Sequence, residues 1–160
     1  MLFEPLAEYC GEIIVGEIGL PAKSISGVEL LPTLFEEKDA LELFPKRTKN
    51  SHKGDFGKLL NVAGCANMSG AAALSTKAAL RSGAGLVTLA SEKAVSDVVK
   101  VKYPEPIYRN LDFSDDRTVR ALTDELGSYS AVLIGCGLGK GEKKKHFIES
   151  AIKNYTGVLV

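Results

Sequence analysis

The chain has 160 residues with 20 basic and 20 acidic side chains, and this even balance gives no support for a nucleic-acid partner. Its three cysteines are far apart and form no C-x-x-C pair, which argues against a disulfide framework or a zinc site and suits a reducing compartment. No apolar run approaches the roughly 18 residues of a membrane span, so we expect a cytoplasmic protein with no membrane partner.

The first 46 residues differ in character from the rest. Residues 11–19 predict a single strand, which ends at Leu20-Pro21 and needs a partner strand to be stable. Residues 23–46 combine polar turns with a charged patch and predict a linker with a short helix.

From residue 47 onward, apolar runs of strand length alternate with amphipathic segments. The predicted strands are residues 58–63, 86–90, 107–108, 131–134 and from 158 onward. The predicted helices run from Ser69 to about Ser82, from a cap at Ser91 to before Pro104, from Asp115 or Asp116 to before Gly127, and over residues 143–155. This alternation predicts an α/β domain with a mainly parallel sheet and right-handed crossovers.

The first glycine loop, residues 64–70, follows the first of these strands and runs into the helix start Gly70-Ala71-Ala72. It fits neither a P-loop nor G-x-G-x-x-G, which disfavours an ordinary NTPase or Rossmann dehydrogenase. Small residues here give a ligand access to backbone N–H groups at a helix N-terminus. They would equally allow the helix to pack closely on the sheet, so both interpretations stay open.

The second glycine loop, residues 135–141, has a glycine at every other position after a buried strand. Such a loop is costly in chain entropy, which favours ligand contact over packing alone. Positive charge at Lys140 and residues 143–145 opposes the dipole of the following helix unless a phosphate is near, although we expect Lys144 and Lys145 to be solvated. Because both loops follow strand ends, they predict one ligand site at the top of the sheet.

Few side chains offer catalytic chemistry. His52 would need a partner to act as a general base, whereas a turn residue bonded to backbone would need none. No carboxylate pair, Ser-His-Asp set or metal cluster stands out in the sequence, so no catalytic residue and no metal site is predicted within it.

Several motifs together carry a family resemblance over roughly residues 45–160. They are Arg47 with residues 52–57, residues 62–64 with 68–72, residues 79–88 (A-L-R-S-G-A-G-L-V-T, the most specific block), Pro104-Glu105 and residues 135–139. The chain resembles the ADP/ATP-dependent NAD(P)H-hydrate dehydratases, which have the ribokinase-like fold, a three-layer sheet with helices on both faces. Residues 2–21 resemble the last strand of the NAD(P)H-hydrate epimerase domain that is fused ahead of many bacterial dehydratases.

The resemblance implies three segments: 1–22 as the end of an epimerase-like domain, 23–46 as linker and short helix, and 47–160 as the N-terminal part of the dehydratase. It implies dehydration of the S hydrate of NADH or NADPH, with ADP or ATP as phosphoryl donor, Mg²⁺, and a homo-oligomer, since many relatives are tetramers. The residues that would contact the hydrated dinucleotide are Gly70, Ala71, Ala72, Gly135 and Gly137. His52, Lys53 and Gly54 match a family signature whose task the sequence does not assign.

The chain departs from the family pattern in two ways. Cys136 stands where the family usually has proline, between two glycines that are both kept. The family's Gly-Thr-Gly-Asp segment, which carries the catalytic aspartate, and its nucleotide-phosphate loop do not occur in these residues. Because residues 157–160 also look like the opening of a core strand, we expect a fragment that is inactive alone.

Three alternatives remain at this stage. The first is a small-molecule kinase of the same superfamily, acting on a sugar or a hydroxymethylpyrimidine. The second is a non-catalytic module that binds nucleotide without turnover. The third is a half-domain that binds no ligand.

Overall fold

A computed structural model describes residues 6–14, 16–21, 23–24, 35–44 and 46–160. The chain divides into two compact units, with the boundary between Lys46 and Arg47. No helix in the described ranges has both the length and the apolar character needed to cross a bilayer.

The first unit contains little regular structure among its described residues. It has a 3₁₀ turn at Leu6–Tyr9 and one short helix, α1 (Glu37–Leu43), whose first turn is closed by a reciprocal capping box between Glu36 and Asp39. The strand predicted over residues 11–19 is wrong for the residues that the structure describes there, since 11–14 and 16–19 lie in no strand and Val15 lies outside the described residues. An isolated extended segment gains no ladder hydrogen bonds, so apolar character alone does not make a strand.

The second unit is a five-stranded sheet in which every pair of neighbours is parallel. The strands are β1 (Lys58–Val62), β2 (Leu86–Ser91), β3 (Ile107–Asn110), β4 (Ala131–Ile134) and β5 (Val158–Leu159), in the order β3-β2-β1-β4-β5. The helices between them are α2 (Ser69–Arg81), α3 (Lys93–Lys102), α4 (Asp116–Glu125) and α5 (Glu142–Asn154). The predicted α/β class is confirmed.

Two of the predicted helix caps are wrong. Ser69 is the first residue of α2, and Met68 occupies the cap position. Ser91 is the last residue of β2 and is buried, while Glu92 occupies the cap position of α3. Both serines lie one position away from the cap because the preceding strand or loop extends further than the local pattern shows.

Each face of the sheet carries its own apolar core, as expected for strands that are covered on both sides. On one face, Leu60, Val62 and Val132 pack with Leu122 of α4 and Phe147 of α5. The opposite face has a smaller core of five buried residues, Ala63, Ala72, Leu89, Val95 and Val99, drawn from the sheet, α2 and α3. The helices therefore form two layers around one sheet.

A buried polar contact holds α2 against the middle of the sheet. The Asn61 side-chain amide, on fully buried β1, donates to Ser75 Oγ at 2.8 Å and to Thr76 Oγ1 at 3.1 Å. Buried hydrogen bonds of this kind are directional, so they fix the position of α2 along β1 as well as its distance. The N-terminus of α2 is thereby held at the end of β1.

The His52 motif forms a tight turn ahead of β1. His52 Nδ1 accepts a hydrogen bond from the Gly54 N–H at 3.1 Å, and the His52 N–H donates to Asp55 Oδ2 at 2.9 Å. These bonds close the 3₁₀ turn Lys53–Phe56. His52 therefore acts in this structure as the turn residue that the sequence left as one of two options.

That turn packs on the turn between α2 and β2. The Gly85 N–H donates to the Phe56 carbonyl at 3.0 Å, and the Arg47 guanidinium donates to the Gly83 carbonyl at 2.7 Å while lying 4.1 Å from the centre of the Phe56 ring. A Cβ on Gly85 would lie only 1.7 Å from the Lys53 carbonyl oxygen. The two most recognisable motifs of the sequence thus meet at the amino end of the sheet.

We predict that Gly85→Ala destabilises the chain severely, by about 3 kcal/mol or more, because the new methyl group overlaps backbone that cannot move away cheaply. Chemical denaturation of the 160-residue chain measures this. Gly127→Ala is the matched control, since a Cβ there meets nothing within 4 Å. Equal unfolding midpoints for the two variants would contradict the packing described here.

A second prediction concerns the start of α4, where Asp115 Oδ1 accepts a hydrogen bond from the Arg117 backbone N–H at 3.0 Å. The Arg117 side chain, followed by that backbone bond, lowers the pKa of the Asp115 carboxyl. A lowered folded-state pKa contributes stability that is present above the ordinary aspartate value of about 3.9 and is lost as pH falls through the folded-state value. Asp115→Ala should therefore lower the melting temperature at neutral pH, and the difference from wild type should shrink on acidification below that ordinary value; a difference that stays constant would contradict this.

Candidate functional site

The strand order creates a switch point between β1 and β4. From β1 the chain moves outward through β2 to β3, and it then returns to β4 on the other side of β1 and continues to β5. Connections that leave two neighbouring parallel strands in opposite directions open a crevice at the carboxyl ends of those strands, where α/β proteins bind their ligands. Both glycine loops begin at this point.

Backbone hydrogen bonds tie the two loops together at their roots. The Gly64 N–H donates to the Cys136 carbonyl at 2.9 Å, and the Gly135 N–H donates to the Val62 carbonyl at 3.1 Å. Because these bonds continue the ladder between β1 and β4, the positions of the two loops are set by the register of the sheet.

Gly137 brings the second loop into contact with the start of α2. Its φ is +70°, and a Cβ at this position would lie 2.7 Å from Ala71 Cβ and 3.0 Å from the Met68 carbonyl oxygen. Both the backbone conformation and the close approach require glycine. Further along the loop, the corresponding position on Gly139 lies 3.4 Å from Cys65 Sγ.

The predicted dinucleotide contacts divide between this contact region and the core. Gly70 and Gly135 are exposed, while Ala71 and Gly137 are partly buried where the loops meet. The side chain of Ala72 is fully buried in the core between α2, α3 and the sheet, so its methyl group faces packing and not the crevice. The structure places the three signature residues, His52, Lys53 and Gly54, in the turn at the amino end of β1.

Two helix N-termini supply hydrogen-bond donors beside the loops. Neither α2, which starts after Met68, nor α5, which starts after Gly141, has a side-chain cap. First-turn N–H groups without such partners, together with the positive end of the helix dipole, favour anions such as phosphate. A depression of about 350 Å³ lies along the second loop and the first turn of α5.

Lys144 corrects one expectation from the sequence, which predicted a solvated side chain. Its side chain is only 15% exposed. Its Nζ donates to the Leu138 carbonyl at 2.7 Å, lies 3.4 Å from Glu92 Oε1 and sits 5.5 Å from the centre of the Phe113 ring. The signal for this placement was available, because Lys144 lies three residues before the core residue Phe147 and so shares its helix face. Lys145 and His146 are exposed.

The most voluminous groove that the described residues form lies elsewhere. It measures about 560 Å³ and runs between the amino ends of β1 and β4 and the second half of α2. Its lining is mostly apolar: Phe56, Gly57, Lys58, Leu59, Ser75, Ala78, Ala79, Ser82, Ala84, Ser130, Ala131, Leu133 and Val160. Volume alone would favour this groove. We favour the loops because they combine a switch point with convergent backbone donors, and the groove has neither.

A metal-binding cluster is not found in the parts of the chain that the structure describes, where no three His, Cys, Asp or Glu side chains come together. These residues thus provide no donor set for Mg²⁺, and no chemical step is assigned to that ion here.

The arrangement matches known proteins in both sequence and fold. Residues 59–160 match the family model described as NAD(P)H-hydrate dehydratase. The chain belongs to the NAD(P)H-hydrate dehydratase family. It is 34% identical over 145 residues to the bifunctional NAD(P)H-hydrate repair enzyme Nnr of Coxiella burnetii, an alignment that covers 91% of this chain and 29% of that protein.

Solved structures support the same assignment. A ribokinase-like superfamily protein from Enterococcus faecalis superposes with a TM-score of 0.67 and 25% identity, covering 81% of this chain and 47% of that one. The ADP/ATP-dependent NAD(P)H-hydrate dehydratase of Bacillus subtilis, co-crystallised with ATP and Mg²⁺, superposes with a TM-score of 0.62 and 28% identity, covering 74% and 41%. The predicted family and the ribokinase-like fold are confirmed, and the dehydratase family is favoured over the small-molecule kinases.

The two loop glycines give a matched pair of predictions. Gly137→Ala should destabilise the chain by about 2 kcal/mol or more, because alanine is strained at positive φ and its methyl group would overlap Ala71 and Met68. Gly70→Ala should leave stability within about 0.5 kcal/mol of wild type or raise it slightly, because its Cβ position is open and alanine favours the helix. Urea unfolding of both variants measures the difference, and a Gly137→Ala variant as stable as Gly70→Ala would show that the loops do not pack as described.

Proposed function

We propose that the protein to which this chain belongs dehydrates the S hydrates of NADH and NADPH, with ADP or ATP as phosphoryl donor, and that the two glycine loops bind the phosphates of the dinucleotide. The observation that supports this most directly is the contact between Gly137 and Ala71 at the switch point, in a chain of the NAD(P)H-hydrate dehydratase family. The chain spans 29% of the Coxiella enzyme and 41% of the Bacillus enzyme, so the activity is proposed for the whole protein.

The chemistry explains why a phosphoryl donor is needed. Hydroxide is a poor leaving group, so direct loss of water from C6 of the hydrated ring is slow. Transfer of a phosphoryl group to the C6 hydroxyl turns the oxygen into part of a phosphate, which leaves with the C6–O bonding electrons as a neighbouring C–H gives up its proton and the ring double bond forms. Catalysis of such a transfer rests on positioning and on stabilising developing charge.

The residues described here suit the positioning part of that task. Backbone N–H groups at the start of α2 and in the second loop carry no net charge and reach a pyrophosphate without side-chain entropy cost. An exposed Gly70 leaves the approach to the helix N-terminus open, since nothing lies within 4 Å of its Cβ position. Gly70, Ala71, Gly135 and Gly137 are the proposed contacts, with the backbone and not the methyl group of Ala72 available to the ligand.

The proposal extends to the rest of the protein. We assign residues 1–22 to the end of an epimerase domain that interconverts the R and S hydrates, 23–46 to the linker and 47–160 to the dehydratase. The bifunctional name of the Coxiella relative favours this division. A cytoplasmic homo-oligomer with Mg²⁺-dependent phosphoryl transfer completes the proposal.

The direct experiment has a binding arm and a turnover arm. We expect the 160-residue chain to bind NADPH in isothermal titration calorimetry without converting NADPH hydrate when ATP or ADP is supplied. The intact gene product should regenerate NADPH from the hydrate only with one of those donors. Binding without turnover in the intact protein would favour a non-catalytic nucleotide module, and turnover by the 160-residue chain would contradict the division of labour proposed here.

A substitution at Gly70 tests the location of the site. Gly70→Leu should weaken NADPH binding by about tenfold or more, because the new side chain occupies the open approach to the N-terminus of α2. Lys77→Leu introduces the same side chain at an exposed position two turns further along α2 and should bind normally. Equal affinities for the two variants would exclude the start of α2 from the site.

A further inference from the structure

A single lysine connects the second glycine loop to two other parts of the domain. Lys144 is the third residue of α5, and its Nζ donates to the Leu138 carbonyl at 2.7 Å within the loop itself. The same Nζ lies 3.4 Å from Glu92 Oε1, at the turn between β2 and α3. It also lies 5.5 Å from the centre of the Phe113 ring, which packs edge-on against Phe147.

This placement is unfavourable for a lysine unless its partners are present. Its side chain is 15% exposed, and removing an ammonium group from water is costly. The first turn of a helix also disfavours positive charge. A carbonyl oxygen, a carboxylate and an aromatic face each offset part of this cost, and all three come from outside α5.

The carbonyl that Lys144 binds lies in the middle of the second loop. Leu138 stands between Gly137 and Gly139, whose Cβ positions lie against Ala71 and Cys65 of the first loop and α2. A carbonyl dipole turned toward a bound phosphate would repel it, whereas backbone N–H groups attract it. Fixing the Leu138 oxygen on Lys144 therefore favours one conformation of a loop that glycines otherwise leave free to sample many.

We propose that Lys144 is the positioning residue of the dinucleotide site: it holds the second glycine loop, through the Leu138 carbonyl, in the conformation that binds phosphate. Glu92 orients the ammonium group and balances its charge. Lys144 does not touch the ligand in this account. The proposal rests on the proposed function for the ligand, while the effect on the loop can be measured without any ligand.

The test compares Lys144→Met with Lys145→Met, its exposed neighbour. Lys144→Met keeps the aliphatic stem and removes the donor. We expect hydrogen exchange in a peptide covering residues 137–142 to speed up by about tenfold in the ligand-free Lys144→Met chain, with the β-strands unchanged, because one charge-assisted hydrogen bond is lost. NADPH affinity should fall by a similar factor, and Lys145→Met should show neither change.

Two further variants separate positioning from general stability. Lys144→Arg should recover most of the affinity, because a guanidinium can donate to both Leu138 and Glu92. Glu92→Gln should weaken NADPH binding less than Lys144→Met, since it leaves the bond to Leu138 in place. A purely structural role would instead spread faster exchange through the Phe113 and Phe147 core and would not confine it to the loop.

The outcomes distinguish the two proposals. If the wild-type chain bound no NADPH, the proposed function would be in difficulty, and the ligand-free exchange comparison would still decide whether Lys144 holds the loop. If wild type bound NADPH and Lys144→Met matched it in both affinity and loop exchange, the positioning role would be overturned and the proposed function would stand.

Discussion

The close approach of two backbone segments at the ends of β1 and β4 is the constraint on which the rest of the site depends. Ladder bonds at Gly64 and Gly135 fix the roots of the loops, and the absence of a side chain on Gly137 lets the second loop reach Ala71 at the start of α2. The Asn61 side-chain amide then fixes α2 along β1. Sheet register, helix position and loop contact therefore act together, and a change in any one of them would displace the donors that face the crevice.

The two ends of the sheet have different tasks. At the amino end, the His52 turn and the turn around Gly85 pack backbone against backbone, with Arg47 stacked on Phe56. At the carboxyl end, uncapped helix starts and exposed glycines leave room for a guest. Much of what makes the sequence recognisable, including the block at residues 79–88, thus serves the amino-end brace as well as the helix that carries the site.

The sequence predicted the elements of the second unit well because their signals are local. Apolar runs of strand length and amphipathic segments between glycines gave all five strands and all four helices, with bounds within one or two residues except at the edge strand β3. The strand over residues 11–19 failed because strand formation depends on a partner that local pattern cannot supply. Strand order was also beyond local pattern, yet it is what brings the two loops side by side.

Lys144 illustrates a different limit of sequence interpretation. A lysine among lysines at a helix start looks solvated, and its charge argues against burial. Its partners, Leu138, Glu92 and Phe113, lie between 6 and 52 residues away for the two hydrogen-bonded ones and become visible only when three loops meet. The helix-face spacing to Phe147 was the one local sign, and charge outweighed it in the prediction.

Amide chemical shifts of the ¹⁵N-labelled chain, recorded as NADPH is added, test the central claim most directly. The account predicts that residues 69–71 and 137–141 shift together and saturate at the same ligand concentration, because both loops contact one pyrophosphate. Shifts confined to one loop, or centred on the apolar groove at the amino ends of β1 and β4, would contradict it.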